Sequence, residues 1–205
     1  MSTERTSRDS VELCLEAIEA HEDKINSLIT VTADEARRQA DLADQATADG
    51  RWLGLLHGVP MAIKDNIETA GVRTTSGSKF FSDHVPNQNA SVVDRLLNAG
   101  AIMVGKATMQ ELAFGIRSNN TVSPPCRNPW NTERIPGGSS GGSGASVAAG
   151  MCIGSLGSDT GGSVRLPASI NGISGLRPTH SWVPNHASTP VSPSFDTIGP
   201  MARSV

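Results

Sequence analysis

The chain has 205 residues, 37% of them hydrophobic, which is enough apolar material for a core of about one domain. A formal net charge of −3, no long basic run, 3% aromatics and no tyrosine argue against the charged groove and stacking platform of a nucleic-acid binder. Cys14, Cys126 and Cys152 are odd in number and widely spaced, so neither a disulfide framework nor a zinc site is indicated, and no apolar run approaches membrane-spanning length.

The start, Met1 to Ser10, is polar and lacks the apolar core of a signal peptide, so the expectation is a cytoplasmic protein. Ser10 is placed to cap a first helix, with Val11, Leu13, Cys14, Ala17 and Ile18 at helical spacing. A second helix is expected from Thr32 or Asp34 until Asp49-Gly50 stops it. Both read as packing elements without chemistry. The run Gly58 to Ile63 reads as a buried strand, yet it ends in Lys64-Asp65. Either the strand surfaces into a loop there, or a lysine is held in the interior, where desolvation lowers its pKa and the neutral amine serves as a base.

From Thr69 to Asn89 the composition indicates a surface loop. Asn89-Ala90-Ser91 signals the start of a helix through Leu97, ended by Gly100, and Ala101 to Val104 reads as a short buried strand. Strand, helix and strand in this order give the rhythm of an α/β architecture. A short helix is expected at Met109 to Gly115, and an irregular proline-rich segment from Ser118 to Pro136. Small residues at Ala145, Ala148 and Ala149 suit a helix packed tightly on a sheet, Met151 to Leu156 suits the next strand, and Gly172 to Leu176 a later one. Phe195 to Val205 reads as a turn into a new helix with Pro200 at its start.

Two glycine-serine clusters, Gly137 to Ser143 and Gly157 to Ser163, stand out, because glycine at this density belongs where the chain turns sharply or approaches a ligand. A flexible linker is disfavoured by the Val, Met, Ile and Leu interleaved between them. Gly137-x-x-x-x-Gly142 has P-loop spacing, but Ser143-Gly144 stands where the phosphate-binding lysine belongs. Gly138-Ser139-Ser140-Gly141-Gly142 fits a nucleophile elbow centred on Ser140, with Asp159, His180 and His186 as candidate partners, although Thr132 to Pro136 is a poor preceding strand. A fourth reading joins both clusters to Lys64: a desolvated lysine acts through one serine to activate another, beside backbone N–H groups freed by glycine.

The two clusters, read together with Gly157-Ser158-Asp159-Thr160-Gly161-Gly162-Ser163-Val164-Arg165-Leu166-Pro167-Ala168 and Gly58 to Asp65, resemble the amidase signature family. The resemblance covers nearly all of the chain beyond the N-terminal helices and implies an α/β fold, a three-layer α/β/α sandwich around a mixed sheet, incomplete here. Residues 1–205 are then the N-terminal part of one amidase signature domain, with helices in 1–50 and the catalytic core region in 58–205.

It further implies a Ser-cisSer-Lys triad in which Ser163 forms the acyl-enzyme, Ser139 follows a cis bond and relays protons, and Lys64 is the base. The backbone N–H groups of Thr160, Gly161, Gly162 and Ser163 become oxyanion donors, and Asp159 and Arg165 support them or, for Arg165, meet an anionic substrate. No metal or organic cofactor is implied. The expected partner is a small-molecule amide, with no nucleic acid bound directly and no membrane. The assembly is then a homodimer or, if the chain resembles the glutamine-hydrolysing component of a tRNA-dependent amidotransferase, a complex with partner subunits. Glu111 to Gly115 and Ser118 to Asn120 resemble both kinds of relative. A truncated half that binds without turnover is the non-enzyme alternative.

Overall fold

The structure, a computed structural model, describes residues 5–205; the first four residues of the polar start lie outside them. Helix α1 (Ser7–Ile25) begins one turn earlier than Ser10 indicates. Thr6 is its N-cap, and Thr6 with Asp9 forms a reciprocal capping box that satisfies two N–H groups at once. Ser10 lies inside the helix, its hydroxyl bonded back to the Thr6 carbonyl. Strand β1 (Leu28–Val31) has no counterpart in the sequence expectations; four residues, three of them β-branched, suffice once a neighbour pairs with them. Helix α2 (Ala33–Ala48) follows as expected, and Ala36, Ala40 and Ala43 form the small, buried stripe of one face.

Strand β2 (Pro60–Lys64) is buried throughout. Helix α3 (Ser91–Asn98) has Ala90, not Asn89, at its N-cap; the Asn89 side chain instead accepts from Ala70 N at 2.7 Å and donates to Asp94 at 2.8 Å. Strand β3 (Ile102–Ala107) runs three residues beyond Val104, and an irregularity in its pairing with β2 lies between Met61 and Ala62. The helix expected at Met109 to Gly115 reduces to a single 3₁₀ turn, Glu111–Ala113, in which Leu112 and Ala113 have φ of 50° and 58°.

Helix α4 (Gly141–Ala148) starts inside the first glycine cluster, and strand β4 (Gly154–Asp159) is displaced toward the second, with Met151 and Cys152 packed in the core before it. Helix α5 (Arg165–Asn171) is hidden in the sequence because Pro167 interrupts a helical pattern; here it occupies the first turn, where its missing N–H has no intrahelical partner to lose. Strand β5 (Ser174–Gly175) is short.

The helix expected at the end is absent: Thr197–Ala202 is strand β6, antiparallel to both β4 and β5. Ile198 and Met201 alternate into different core clusters, which a strand permits, and Pro200 keeps its place because its carbonyl still accepts from Leu176 N.

The sheet order is β1-β3-β2-β4-β6-β5, with β3, β2 and β4 parallel and the remaining pairs antiparallel, so the sheet is mixed. On one face Ala62, Ile102 and Val104 meet Val11 and Leu15 of α1, Ala36 and Ala40 of α2 and Ala145 of α4. On the other, Ile63, Met103, Leu156 and Ile198 meet Val92 and Val93 of α3. The C-terminal ends of parallel β2 and β4 lie side by side, and both glycine-serine clusters converge there.

Candidate active site

Lys64 ends β2 wholly buried, so the reading in which the strand surfaces into solvent does not hold. Its Nζ lies 2.6 Å from Ser139 Oγ, 2.8 Å from Ser158 Oγ and 3.4 Å from the Ser158 carbonyl. Three partners match the three N–H bonds of an ammonium. Burial pushes the group down from 10.5 to about 7, a shift that the charges of Asp159 and Asp196 offset only in part. The amine is therefore poised to exchange a proton near neutrality.

Ser139 is fixed from its backbone side. The Gly138–Ser139 peptide is cis, and the Ser139 carbonyl accepts from Gln110 N at 3.0 Å. Ser118, buried and at φ 55°, lies beneath the turn: its Oγ is 2.8 Å from the Gly137 carbonyl and 3.3 Å from that of Ser139, and it accepts from Gly141 N at 2.9 Å. Glycine is required where α4 begins, because a Cβ on Gly142 would overlap the carbonyl oxygens of Thr108 and Ser27. Gly142→Ala is accordingly expected to destabilise the fold by about 3 kcal/mol, read as a lowered melting temperature, since both obstacles are backbone atoms.

The second cluster is a turn wrapped around one carboxylate. Asp159 accepts from Gly162 N at 2.8 Å, Val164 N at 3.1 Å and the Arg165 guanidinium at 3.0 Å on each oxygen. Arg177 approaches the same group at 3.3 Å. Burial alone would raise the Asp159 carboxyl; the hydrogen bonds from Arg165 and the turn hold it below its ordinary value. Arg165 thus holds the turn while half its side chain stays exposed. Of the four N–H groups expected as oxyanion donors, that of Gly162 is engaged by Asp159.

Ser163 is half-buried, and its carbonyl accepts from Ser140 N at 3.3 Å, so the two clusters are bonded through the backbone. Among the described residues its hydroxyl has no hydrogen-bond partner, and Gly161 beside it is open.

Ser140 is oriented differently. Its hydroxyl is buried, donates to the Ser158 carbonyl at 3.1 Å and accepts from Ser158 N at 3.3 Å. No histidine reaches it: His180 bonds to Pro193 and Ser181, and His186 is exposed. Gly157 makes room for Ser140, since a Cβ there would stand 2.9 Å from Ser140 Oγ.

Several site residues carry no sequence signal of their own. Ser158 and Asn66, which donates to Ser158 Oγ at 3.2 Å, are ordinary polar residues brought to Lys64 by pairing of β2 with β4. Asp196 accepts from Thr160 and from Val191 and Ser192 N–H groups, so it pins a loop from the far end of the chain against the second cluster. Lys106 is legible by the same rule as Lys64, a cation closing an apolar run, once β3 is followed past Val104.

Two cavities, of about 640 and 680 Å³, lie beside α2 and beside Trp52 and His57, away from Lys64, Ser139 and Ser163. A void of about 10 Å³ bordered by Asn66, Ser158 and Thr160 adjoins the site. Among the described residues no group of three His, Cys, Asp or Glu side chains is placed to hold a metal, and no helix is long and apolar enough to cross a membrane. The three cysteines are buried and unpaired, and burial pushes the Cys14 and Cys152 thiols up to about 11 and about 12.

The family model described as Amidase matches residues 9–205. The A-type subunit of the glutamyl-tRNA(Gln) amidotransferase of Synechococcus sp. (strain CC9605) is 47% identical over 204 residues, covering all of this chain and 42% of that protein. Among solved structures, a chain from a vestigial protein complex bearing on the origins of an s-triazine catabolic enzyme superposes with a TM-score of 0.93 at 42% identity, over 96% of this chain and 43% of the other. The native peptide amidase of Stenotrophomonas maltophilia superposes with a TM-score of 0.92 at 36% identity, over 97% of this chain and 42% of the other. The chain thus spans about two-fifths of the length of these relatives. With its mixed sheet, its paired glycine-serine turns and a family match over nearly its whole length, the chain belongs to the amidase signature family.

Proposed function

We propose that this chain carries the acyl-transfer machinery of a hydrolase acting on linear carbon–nitrogen amide bonds. The observation that carries the reading is the buried contact of Lys64 Nζ with Ser139 Oγ at 2.6 Å, with the lysine pKa lowered to about 7. In this reading neutral Lys64 takes a proton from Ser139 as Ser139 takes one from Ser163, and Ser163 Oγ attacks the amide carbonyl. The proton returns along the same relay to the departing amine or ammonia. Water then hydrolyses the Ser163 ester, with Lys64 and Ser139 again moving its proton.

The N–H groups of Gly161 and Ser163 are the donors we assign to the tetrahedral oxyanion, with Thr160 beside them; Gly162 serves the turn through Asp159. Each such donor contributes roughly 2.7–4 kcal/mol to the transition state. Asp159 and Arg165 act by holding the loop that carries these donors. The void that adjoins the site is only about 10 Å³, and the chain spans two-fifths of its relatives, so we assign the walls that choose the substrate to parts of the intact protein outside these residues.

The test is acyl transfer by the intact protein: a panel of linear amides should release ammonia or amine, and hydroxylamine should intercept the acyl group as a hydroxamate. Failure across the panel, with no covalent probe reaching Ser163, would leave a binding protein without turnover. His180→Ala and His186→Ala are each expected to leave probe capture within about twofold of the unmodified chain; a collapse in either would restore a Ser-His mechanism through Ser140.

A second reading is favoured by the 47% identity to the amidotransferase component: the amide is glutamine, and the ammonia passes to a partner. Glutamine hydrolysis that rises on adding partner subunits identifies this case, and turnover of simple amides by the isolated intact protein identifies the first.

A further inference from the structure

A second buried lysine lies beneath the turn that presents Lys64. Lys106, on β3, is fully buried; its Nζ donates to the Ile67 carbonyl and to Thr74 Oγ1, both at 2.7 Å, and stands 3.8 Å from Asp65 Oδ1. Asp65 directly follows Lys64 and is equally buried; its other oxygen accepts from Thr75 N at 2.9 Å and from the Thr75 hydroxyl, whereas Oδ1 has no hydrogen bond among the described residues.

The backbone explains why the pair matters to Lys64. Ile67 N donates to the Lys64 carbonyl at 3.0 Å, closing a turn over Lys64–Ile67, and Lys106 holds the outgoing Ile67 carbonyl of that same turn. Asp65 N is bonded to the Ala107 carbonyl, and the Asp65 carbonyl accepts from Ser76 N. Lys106 and Ile63 are register partners, whereas Lys64 pairs with Ala107, so the two lysines leave their strands at neighbouring but alternate positions. The turn also delivers Asn66 to Ser158 Oγ, one of the three partners of Lys64.

We propose that Lys106 is a positioning residue for Lys64: paired with Asp65 and bonded to Ile67, it pegs the Lys64–Ile67 turn so that the Lys64 amine stays dry and aimed at Ser139. The proposal rests on the reading of Lys64 as the base. Asp65 and, further away, Glu68 are the acidic groups that face Lys106, and Glu68 is itself met by His84 at 3.4 Å. Burial lowers Lys106 to about 8 and raises Asp65, as expected of a pair that holds a charge where water does not reach.

The experiment uses the intact protein and the unbranched, uncharged replacement Lys106→Met. Freed from its peg, the turn admits water to Lys64, whose pKa rises toward that of a free lysine. Measured by NMR of ¹³C-labelled lysine, the Lys64 pKa should rise by about one unit or more, and probe capture at Ser163 should fall about tenfold at a pH one unit below neutral. If Lys106→Met does not fold, Asp65→Asn keeps the Lys106 bonds to Ile67 and Thr74 while removing the ion pair, and the same Lys64 shift is read there. A folded variant with an unshifted Lys64 overturns the proposal. That failure is distinct from failure of the base reading, in which the unmodified Lys64 could be deleted without loss of probe capture.

Discussion

Ser163→Ala is expected to abolish covalent capture of a fluorophosphonate and to lower amide hydrolysis by the intact protein by about 10⁴-fold or more. Two features separate Ser163 from the other serines around it. Ser139 and Ser140 are buried with their hydroxyls bonded, one to Lys64 and the other to the Ser158 backbone, whereas Ser163 is half-buried with a hydroxyl that has no partner among the described residues. A free hydroxyl beside an open glycine is where an incoming carbonyl has room. For the same reason the substitution removes no packing and no hydrogen bond from the resting protein, so its stability should stay within about 0.5 kcal/mol. Peptide mapping of the labelled protein checks the assignment: label on Ser139 or Ser140, or capture undiminished in Ser163→Ala, defeats it. A fall in activity accompanied by unfolding would not, because urea titration of the same variant separates the two.

Much of this site is legible without coordinates, for an identifiable reason. The strand ending in Lys64 and the glycine-serine turns break local rules, a charge closing an apolar run and glycine where a helix should start, and rule-breaking residues are those that tertiary structure or chemistry must explain. Ser158, Asn66, Ser118 and Asp196 break no rule. They reach Lys64 or the turns through strand pairing and loop closure over separations of 92 residues for Asn66 to Ser158 and 21 for Ser118 to Ser139, which local patterns do not encode. The strand at the end of the chain is obscured in a similar way. Thr197–Ala202 contains Gly199 and Pro200 and so looks unlike a strand, but a Cβ on Gly199 would overlap the Leu176 carbonyl, so glycine is what allows the neighbouring chain to approach. Helix α5 is concealed by the opposite effect, since Pro167 looks like a breaker although it sits in the first turn.

Lys64→Met should separate the chemical role of the lysine from its cost to the fold. The variant keeps an unbranched side chain of similar reach, so packing at the end of β2 is retained while the amine is lost. Activity should fall by about 10²–10⁴-fold, the contribution of a positioned general base. In the unmodified protein kcat/KM should rise with pH through about 7, tenfold per unit below it, as the Lys64 amine becomes neutral.

Stability moves in a linked way. Below about 7 both the folded and the unfolded chain hold the Lys64 proton, so the penalty of a buried ammonium is present in full. Between about 7 and 10.5 the unfolded chain binds the extra proton, so the stability due to this group increases as pH rises, by an amount on the order of 5 kcal/mol over the window. Above 10.5 neither state is charged and the slope ends. Other groups titrate in the same range, Lys106 at about 8 among them, so the quantity to measure is the difference between variant and unmodified protein. The advantage of Lys64→Met in unfolding free energy should be largest below neutral pH and shrink steadily toward pH 10. A difference that stays flat across the window would mean that Lys64 is not desolvated in the folded protein, and the reading of it as a base with a lowered pKa would fall.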